Sequence, residues 1–543
     1  MTHATRAVAL APNGESTVEE SPLLLAPSLD REVSRSPDVA PRSLDAGITW
    51  ACLASGALMC LSPLQYGYHI AELNTPKGII TACDKNSEHW AFLPLCLPMN
   101  DAVFSLATSI FAVGGLFGSL SAGWMAERWG RRGALVYNSA TYVLGPLLMA
   151  FAISPAMLIF GRFVSGIGSG VAVVVAPLYL SEIAPVKYRG TLNLLNQLSI
   201  VLGILTALIV GMLANEGPYW RLSVGFGLVL ACLYLSVISF AVESPRYLWS
   251  RNRRSEARVI LRKLRQTTNV DDEVAGWQSI HSGTTSEQLA RIEASCEAPD
   301  PDNAHELPLT QNSRDDVIKV NGEDPSLELR SERNSVTIFN IFTFAEYRKP
   351  WMLVLLLQFG QQLSGINTVF FYSSSVLEKI FSSHISSILT VMIGVLNVLA
   401  TASGALIVDR FGRRPLLFSS MAAMTVSVTL LGVGLALKLN TLAVVSLYLV
   451  VASFAPGYGP VPFLLGTEFF DVRAAGAGGS WALAANWVGT FIVAVAFLPL
   501  QNLMGEWVFA IFVSALLICG VVFYFKIPET KGYTIEEIAK KLK

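Results

Sequence analysis

Long apolar stretches alternate with short polar connections through most of the 543-residue chain. A helix needs about 20 apolar residues to cross a hydrocarbon core. Stretches of that kind lie near 49–70, 103–125, 134–153, 156–180, 190–213, 220–242, 351–376, 384–408, 416–437, 441–467, 476–499 and 506–526. They are too long for tilted barrel strands, and lipid cannot satisfy open backbone polar groups. The pattern therefore predicts an all-α membrane protein with twelve transmembrane helices, numbered below as spans 1 to 12.

Two polar regions interrupt the pattern. Residues 1–46 are rich in Ser, Pro and charge, and residues near 270–335 mix Asp, Glu, Ser and Asn with few apolar residues. Such segments bury too little apolar surface to fold alone. The predicted domains are a disordered tail (1–46), a six-helix half (47–245), a central loop with a disordered insert (246–348), a second half (349–527) and a tail (528–543). Within the loop, Arg251 to Gln266 predicts an amphipathic helix beside the bilayer.

Composition narrows the class of function. With 52% hydrophobic and 15% charged residues, the chain is too apolar for an ordinary soluble protein. Its 39 basic and 40 acidic residues create no basic field, which argues against a nucleic-acid partner. No Ser-His-Asp grouping, metal-ligand spacing or phosphate loop stands out, so we expect no enzyme, cofactor or metal site.

Positive charge in the short connections follows the even-numbered spans. It is carried by Arg128, Arg131, Arg132, Lys187, Arg189, Arg410, Arg413, Arg414 and Arg473. Because positively charged loops stay on the cytoplasmic side, we expect both termini and the central loop to be cytoplasmic.

The two halves repeat the same charged motifs in the same order. GWMAERWGRR at 123–132 matches DRFGRR at 409–414, SEIAPVKYRG at 181–190 matches TEFFDVRAAG at 467–476, and VESPR at 242–246 matches PETKG at 528–532. Chance recurrence of three motifs in order is implausible. The repeat predicts a duplicated six-helix unit, which is typical of transporters with a site between their halves.

The acids in these motifs suggest more than a topology signal, because acidic residues contribute little to orientation. We interpret the motifs as ion-pair networks that hold one side closed in one state and break in the other. The predicted members are Glu127, Arg128, Arg132, Glu182, Arg189, Glu243 and Arg246 in the first half, and Asp409, Arg410, Arg414, Glu468, Arg473 and Glu529 in the second. The simpler alternative is that these charges only mark topology and helix ends.

Neutral amides inside apolar spans are the candidates for ligand contact. Gln361, Gln362 and Asn367 cluster near Gly365 in span 7, while Gln197 and Asn397 lie in spans 5 and 8. An isolated amide usually only joins helices. A cluster that both donates and accepts hydrogen bonds suits a neutral polyhydroxylated ligand. Phe463 and Trp487 are aromatic candidates for stacking on a pyranose ring, although packing is the commoner role of either residue.

At these motifs the sequence resembles the sugar porter family of the major facilitator superfamily. The resemblance covers about 49–535 and includes GRFVSGIGSG at 161–170, PLYLSEIAPVKYRG at 177–190 and QQLSGIN at 361–367. It implies a twelve-helix fold in two pseudo-symmetric halves and alternating access to a sugar at mid-membrane. The sugar-binding positions it implies are Gln197, Gln361, Gln362, Asn367, Asn397, Asn486 and Trp487. Phe463, Ala455 and Thr490 depart from the glucose-transporter pattern, where Trp, Glu and Asn are usual.

The first span carries ionisable residues that bear on energetics. His69 stands where proton-coupled relatives carry Asp and many uniporters carry Asn, and Glu72 lies three residues on, on the same helical face. An intramembrane ionisable residue is a functional candidate, and His titrates near physiological pH. His69 is therefore a candidate for proton coupling; the alternative is a neutral His bonded between helices. Facilitated diffusion and proton symport both remain open.

Three further features concern the loops and tails. Cys83 and Cys96 share the loop after span 1 and could form a disulfide. Glu20, Leu24 and Leu25 fit an acidic dileucine signal that a sorting adaptor would read, so a vacuolar or lysosomal membrane stands beside the plasma membrane. The leading function is transport of a hexose or related polyol; the alternative is a sugar sensor of the same fold that does not transport.

Overall fold

The computed structural model describes residues 48–81, 89–90, 93–185, 188–267, 270–271, 273–274, 277, 336, 338–470, 474–531 and 537–538. The tail over 1–46, which the sequence predicts to be disordered, and most of the central insert lie outside these residues. The side chains at 189, 405–410 and 467 also lie outside them.

Helices form most of the first half among the described residues. They run over Trp50–Ala71 (span 1), Lys77–Thr81, Asp101–Ala150 (spans 2 and 3), Pro155–Ile183 (span 4), Arg189–Leu213 (span 5) and Trp220–Ile238 (span 6), with a 3₁₀ turn at Gly217–Tyr219. Asn100 and Ser154 cap two helix starts by accepting hydrogen bonds from Val103 and Met157 N–H groups. Spans 2 and 3 meet at Gly130, whose φ of 84° breaks the helix.

The second half repeats this plan with two interruptions. Its helices run over Ala345–Leu363 and Ile366–Leu377 (span 7), Ser383–Phe411 (span 8), Arg413–Ala436 (span 9), Asn440–Ser453 and Val461–Glu468 (span 10), Ala475–Met504 (span 11) and Val508–Lys526 (span 12), with 3₁₀ turns at Ile341–Thr343 and Gly505–Trp507. A π-helix at Phe454–Tyr458 interrupts span 10. Together the described helices make the twelve spans of the major facilitator fold.

Between the halves, the chain forms two short helices, Pro245–Ser250 and Arg254–Arg265, which we call the cap. Helix Arg254–Arg265 lies within the predicted amphipathic region, Arg251 to Gln266, and the short helix Pro245–Ser250 precedes it. Thr49 donates a hydrogen bond to the Leu264 carbonyl at 2.6 Å, which ties this cap to the start of span 1. Val270, Val274 and Trp277 are buried in one apolar cluster with side chains of the cap. Part of the loop beyond residue 270 therefore packs against these two helices.

The two ends of the bundle differ. We call the end that carries Gly130 and Gly412 the Arg-rich end, since both positions begin Gly-Arg-Arg sequences. The opposite end carries a short antiparallel pair of strands, His89–Trp90 and Leu93–Pro94. Cys96 follows these strands and is disulfide-bonded. Cys83 lies outside the described residues, so its pairing with Cys96 stays a prediction.

Polar contacts join the halves at the opposite end. Asn74 donates a hydrogen bond to Ser373 at 2.8 Å and accepts one from the Ser374 N–H at 3.1 Å. Asn502 donates to Asp101 at 2.8 Å. A third contact joins Asn215 to Ser383 and Ser387 at 3.0 and 3.2 Å. Spans 1 and 7, 2 and 11, and 5 and 8 are therefore held together at this end.

Candidate functional site

The break in span 7 creates the centre of the candidate site. Gly365 has a φ of 82°, a left-handed conformation that favours glycine, and a Cβ there would lie 2.8 Å from the ring of Phe512. The turn of helix before it carries Gln361 and Gln362, which are only 2% and 4% exposed. The glycine thus ends one helix and starts the next at a point where two amides face the interior.

Gln361 is held by the interruption in span 10. Its Nε2 donates to the carbonyl oxygens of Tyr458 at 2.6 Å and Gly459 at 2.8 Å. A π-helix leaves carbonyl groups without ordinary helical partners, which explains why an amide side chain is bonded there. Its Oε1 accepts hydrogen bonds from Asn486 at 2.9 Å and from Gln362 at 3.2 Å. Two irregular segments of the second half therefore position one side chain.

The remaining amides extend this cluster. Asn367 donates to Gln362 Oε1 at 2.6 Å and to Thr490 Oγ1 at 3.1 Å. Thr490, where the glucose-transporter pattern has Asn, thus belongs to the cluster. Asn486 also donates to Gln358 Oε1 at 2.8 Å. The sequence reasoning missed Gln358, although its spacing of three and four residues from Gln361 and Gln362 places all three on one helix face.

Trp487, the residue after Asn486 of the cluster, contacts the first half. Its indole Nε1 donates to Ser119 Oγ at 2.7 Å, and the ring meets Tyr66 and Phe111 edge-on at centroid distances of 5.8 and 6.0 Å. A Cβ at Gly115 would lie 2.7 Å from this indole, so the small residue makes room for it. The indole therefore lies at the junction of the two halves and is only 4% exposed.

The other predicted contact residues form no hydrogen bond or ring contact with the amide cluster within the described residues. Asn397 is 4% exposed in span 8, and Phe463 is 40% exposed in span 10. Gln197 is exposed, yet it lies on the same side of span 5 as the buried Ile204 and Leu208, seven and eleven residues on.

The side of span 5 that carries Gln197 faces the second half. A Cβ at Gly394 of span 8 would lie 3.1 Å from Leu208. Leu202 and Leu213, exposed and apolar as lipid-facing residues are, project from roughly the opposite side of the helix. Gln197 is therefore exposed within a gap between the halves, toward the Arg-rich end.

His69 belongs to a fully buried ionic group. His69, Glu72 and Arg162 are all 0% exposed. Glu72 Oε2 lies 2.9 Å from His69 Nδ1, and Glu72 Oε1 accepts from Arg162 Nη1 at 2.6 Å. The same Arg162 nitrogen donates to the His69 carbonyl at 2.6 Å. Glu72 is thus bonded by two side chains, which the spacing along span 1 alone did not predict.

Arg162 is another functional candidate that the sequence analysis did not predict. It lies within span 4, and its guanidinium also stands 4.6 Å from the centroid of the Phe111 ring. A charge inside an apolar span is itself a signal of function, because burying it is costly without a partner. The GRFVSGIGSG motif contained that signal.

At the Arg-rich end, the first half builds a network around two acids. Glu182 accepts from Arg131 at 2.7 Å. Glu243 accepts from the backbone N–H groups of Arg131 and Arg132 at 3.0 and 3.1 Å, while the Arg132 guanidinium donates to the Ser239 carbonyl at 2.9 Å. The structure thus pairs Glu182 with Arg131, which was not among the predicted members.

The remaining predicted members of the first-half network make weaker contacts. Glu127 and Arg128 are exposed, and their backbone carbonyls accept from Arg251 and Tyr247. The guanidinium of Arg246 lies 5.9 Å from the Trp277 ring centroid. The side chain of Arg189 lies outside the described residues.

The second half repeats the network in register. Glu468 accepts from Arg413 at 3.1 Å and from Thr530 at 2.6 Å. Glu529 accepts from the backbone N–H groups of Arg413 and Arg414 at 3.1 and 3.0 Å. Arg413, again an unpredicted member, corresponds to Arg131. The side chains of Asp409 and Arg410, and all of Arg473, lie outside the described residues.

Comparison with known proteins identifies the family. The family model for sugar (and other) transporters matches residues 56–297 and 304–542. The chain belongs to the sugar transporter family. Two relatives cover it almost end to end: the probable metabolite transport protein YBR241C of Saccharomyces cerevisiae is 34% identical, covering 92% of this chain and 96% of the relative, and the facilitated glucose transporter member 1 of Gallus gallus is 33% identical, covering 89% and 91%.

Solved structures agree with the fold. The inward-open xylose transporter XylE from E. coli is similar with a TM-score of 0.68 at 21% identity, covering 91% of this chain and 100% of that one. A partially occluded inward-open form of the same protein gives a TM-score of 0.66. The sugar transporter described here therefore has the twelve-helix major facilitator fold, and it is a transporter rather than an enzyme.

Proposed function

We propose that this sugar transporter moves a monosaccharide, a hexose or a related polyol, by alternating access. The observation that carries the proposal is the amide cluster of Gln361, Gln362, Asn367 and Asn486 at the break in span 7. Amides that donate and accept suit the hydroxyl groups of a sugar. Gln197, Asn397, Phe463 and Trp487 complete the proposed binding set. The relatives named as facilitated glucose transporters support a hexose.

The arrangement of the halves suits an inward-facing state. We assign the Arg-rich end to the cytoplasm from the positive charge of its loops, which places both termini there as well. The polar contacts of Asn74, Asn215 and Asn502 then close the extracellular end, while exposed Gln197 faces the cytoplasmic gap. The plasma membrane is the proposed location. Glu20, Leu24 and Leu25, outside the described residues, keep a vacuolar or lysosomal destination as the alternative.

The proposed gating network is the pair of acid clusters at the Arg-rich end. Glu182 and Glu243 tie span 4 and the end of span 6 to the start of span 3, and Glu468 and Glu529 do the same in the second half. We propose that ion pairs of this network hold the Arg-rich end closed in one state and break in the other. Because the described bonds lie within each half, they would act by holding the helix ends of that half together.

Proton coupling is assigned to His69. Its Nδ1 contacts Glu72, and its Nε2 has no hydrogen-bond partner within the described residues. A proton taken up at Nε2 would place a second cation beside Glu72, which Arg162 already neutralises in part, so protonation would change the ionic balance at the outer end of span 1. Without this step the same fold would work as a uniporter.

Reconstitution tests the proposal. The full chain in proteoliposomes should show saturable uptake of at least one labelled hexose, pentose or inositol, and Gln361→Ala should reduce it at least about tenfold because several hydrogen bonds are lost. Asn138→Ala is the matched control, since Asn138 is also a buried amide but joins Gly168 within the first half. Sugar binding without uptake would overturn transport and favour a sensor.

A proton gradient separates the two modes of transport. An inward gradient should stimulate uptake in the wild-type protein, and the stimulation should be lost in His69→Ala. Equal uptake with and without the gradient would assign facilitated diffusion instead.

A further inference from the structure

A polar stripe runs along the buried face of span 1. Ser55, Ser62 and His69 follow one another at seven-residue spacing, and Gln65 lies on the same side. Their exposed fractions are 6%, 0%, 0% and 1%. On such a face of a helix in lipid, Ser is common as a small residue, and Gln and His side chains usually form hydrogen bonds to a neighbouring helix. From Ser55 to His69 the stripe covers about 20 Å along the axis.

Tyrosines from the neighbouring spans face this stripe. The ring of Tyr142 in span 3 stacks on His69 with centroids 5.7 Å apart, and its hydroxyl donates to the Ser62 carbonyl at 3.3 Å. Tyr234 in span 6 lies beside Ser62, Tyr142 and Tyr179. All three tyrosines are 0% exposed, so a row of hydroxyl groups is enclosed between spans 1, 3, 4 and 6.

Several polar atoms in this core lack partners. Within the described residues, no hydrogen bond reaches either amide atom of Gln65 or His69 Nε2, and the hydroxyl groups of Ser62 and Tyr234 lie close to each other without a hydrogen bond of ordinary geometry. Buried polar groups of this kind are ordinarily satisfied by internal water.

The row reaches the Arg-rich end. Tyr179 lies beside Ser55, and its hydroxyl donates to the Val242 carbonyl at 2.8 Å. Glu243, next in the chain, is partly exposed and bonds the start of span 3. Every group in the row belongs to the first half, whereas the hydrogen-bonded amide cluster of the sugar site belongs to spans 7 and 11.

We propose that internal water fills the core between spans 1, 3, 4 and 6 and, with the hydroxyl groups of Ser62, Tyr142, Tyr234 and Tyr179, conducts protons between His69 and the Arg-rich end. The path is separate from the sugar site. A proton at His69 Nε2 passes to water, each hydroxyl accepts one proton as it gives up another, and one proton leaves to solvent near Glu243. The charged and titratable groups facing His69 are Tyr68, Glu72, Arg162 and Tyr142.

Proton conduction along this path rests on the proposed function, because it requires proton coupling at His69. The presence of internal water in the path does not require that coupling. The contacts that close the opposite end separate His69 from the outer solution in this state, so the path opens toward the Arg-rich end alone. That arrangement connects the proton site to one side at a time, as coupling requires.

Radiolytic footprinting with mass spectrometry tests the water. X-ray pulses activate bound water in place, so residues beside internal water are oxidised even when buried. In the full chain in lipid nanodiscs, Tyr142 and Tyr234 should be oxidised about tenfold more than Tyr372. Tyr372 is the matched control, because it is also 0% exposed and, like Tyr142, donates its hydroxyl to a backbone carbonyl, here that of Ala494 at 2.8 Å, but it lies in the second half, outside the proposed water. Equal oxidation of the three tyrosines would overturn the proposal.

Proton flux tests conduction. In proteoliposomes with a trapped pH dye, Tyr234→Phe and Ser62→Ala should lower sugar-driven proton uptake about tenfold, while sugar counterflow, which needs no net proton release, stays within about twofold. Tyr448→Phe, which removes a hydroxyl bonded to Leu389 in the second half, should change neither. Unchanged proton uptake in both variants would overturn conduction. Sugar uptake by wild-type protein without proton movement would also overturn it, whereas absence of sugar uptake would instead contradict the proposed function.

Discussion

At the scale of single residues, disrupting the buried group of Glu72, Arg162 and His69 is the change that we expect to reduce the free energy of unfolding most. Two opposite charges at 0% exposure have lost their hydration, and only their short contacts offset that cost. Arg162 also donates a hydrogen bond to the His69 carbonyl and contacts the Phe111 ring. Spans 1, 2 and 4 are thereby joined by one guanidinium.

Removing one member of this pair should therefore be severe. Glu72→Gln leaves the Arg162 charge buried without its anion, and we expect a loss of roughly 3–5 kcal/mol in the free energy of unfolding. Thermal unfolding of the purified protein in detergent measures it. The double variant Glu72→Gln with Arg162→Gln should recover part of the loss, because neither charge then remains. A double variant less stable than the single one would contradict the pairing.

The glycine of span 7 supports a second prediction at the same scale. Gly365→Ala should destabilise the protein by about 1–3 kcal/mol, since alanine disfavours positive φ and its Cβ would press on Phe512. Gly476→Ala is the control, because no atom lies within 4 Å of a Cβ at that position. Equal melting temperatures for the two variants would show that the break in span 7 does not depend on glycine.

At the scale of elements, each half anchors the start of its third helix with an acid from beyond its sixth. Gly130 and Gly412 turn the chain at φ values of 84° and 88°, which aims the following N–H groups at Glu243 and Glu529. Free N–H groups at a helix start carry partial positive charge, so a carboxylate is the natural partner. The same solution in both halves explains why the motifs repeat.

This arrangement predicts a pH dependence. Although partial burial opposes it, hydrogen bonds from the N–H groups of Lys531, Arg414, Arg413 and Thr530 hold the pKa of Glu529 below its ordinary value of 4.5. A lowered pKa contributes stability that is present above the ordinary value and is lost as the pH falls through the lowered pKa. The melting temperature of Glu529→Gln should lie below that of the wild type at pH 7, and the gap should narrow below pH 4.5.

The control for this prediction is an exposed acid. Glu216→Gln, at an exposed position before span 6, should track the wild type across the same pH range. A gap for Glu529→Gln that stays constant with pH would show that the ionised carboxylate contributes nothing to folding.

At the scale of the whole molecule, the halves are held at the end opposite the arginines. Asn74 contributes two hydrogen bonds of ordinary length between spans 1 and 7, with Ser373 and Ser374, and a longer one to the Val369 carbonyl at 3.5 Å. A buried hydrogen bond contributes about 1 kcal/mol to the stability of the state that contains it. These contacts therefore favour the state that is closed at this end but still allow the protein to open there. The Trp487 indole against Ser119 adds a contact nearer the centre.

Asn74→Ala should therefore shift the population toward the state open at that end by about tenfold or more, since its bonds between the halves are lost. Pulsed electron paramagnetic resonance between spin labels at the exposed positions Tyr219 and Trp507 measures the opening. Asn138→Ala, whose bond lies within the first half, should leave the distance distribution unchanged. An unaltered distribution in Asn74→Ala would show that these contacts do not hold the end closed.

The sequence by itself determined the helical class, the twelve spans, the duplicated halves and the kinds of side chain in the site, because hydropathy, loop charge and repeated motifs act locally along the chain. Tertiary structure decided the partners. Arg162 meets Glu72 across 90 residues and Arg131 meets Glu182 across 51, distances over which periodicity has no bearing. Which arginine of a pair faces an acid depends on the turn at Gly130, and whether Gln197 is exposed depends on how two halves are tilted. Those outcomes follow from packing in three dimensions, which no local pattern contains.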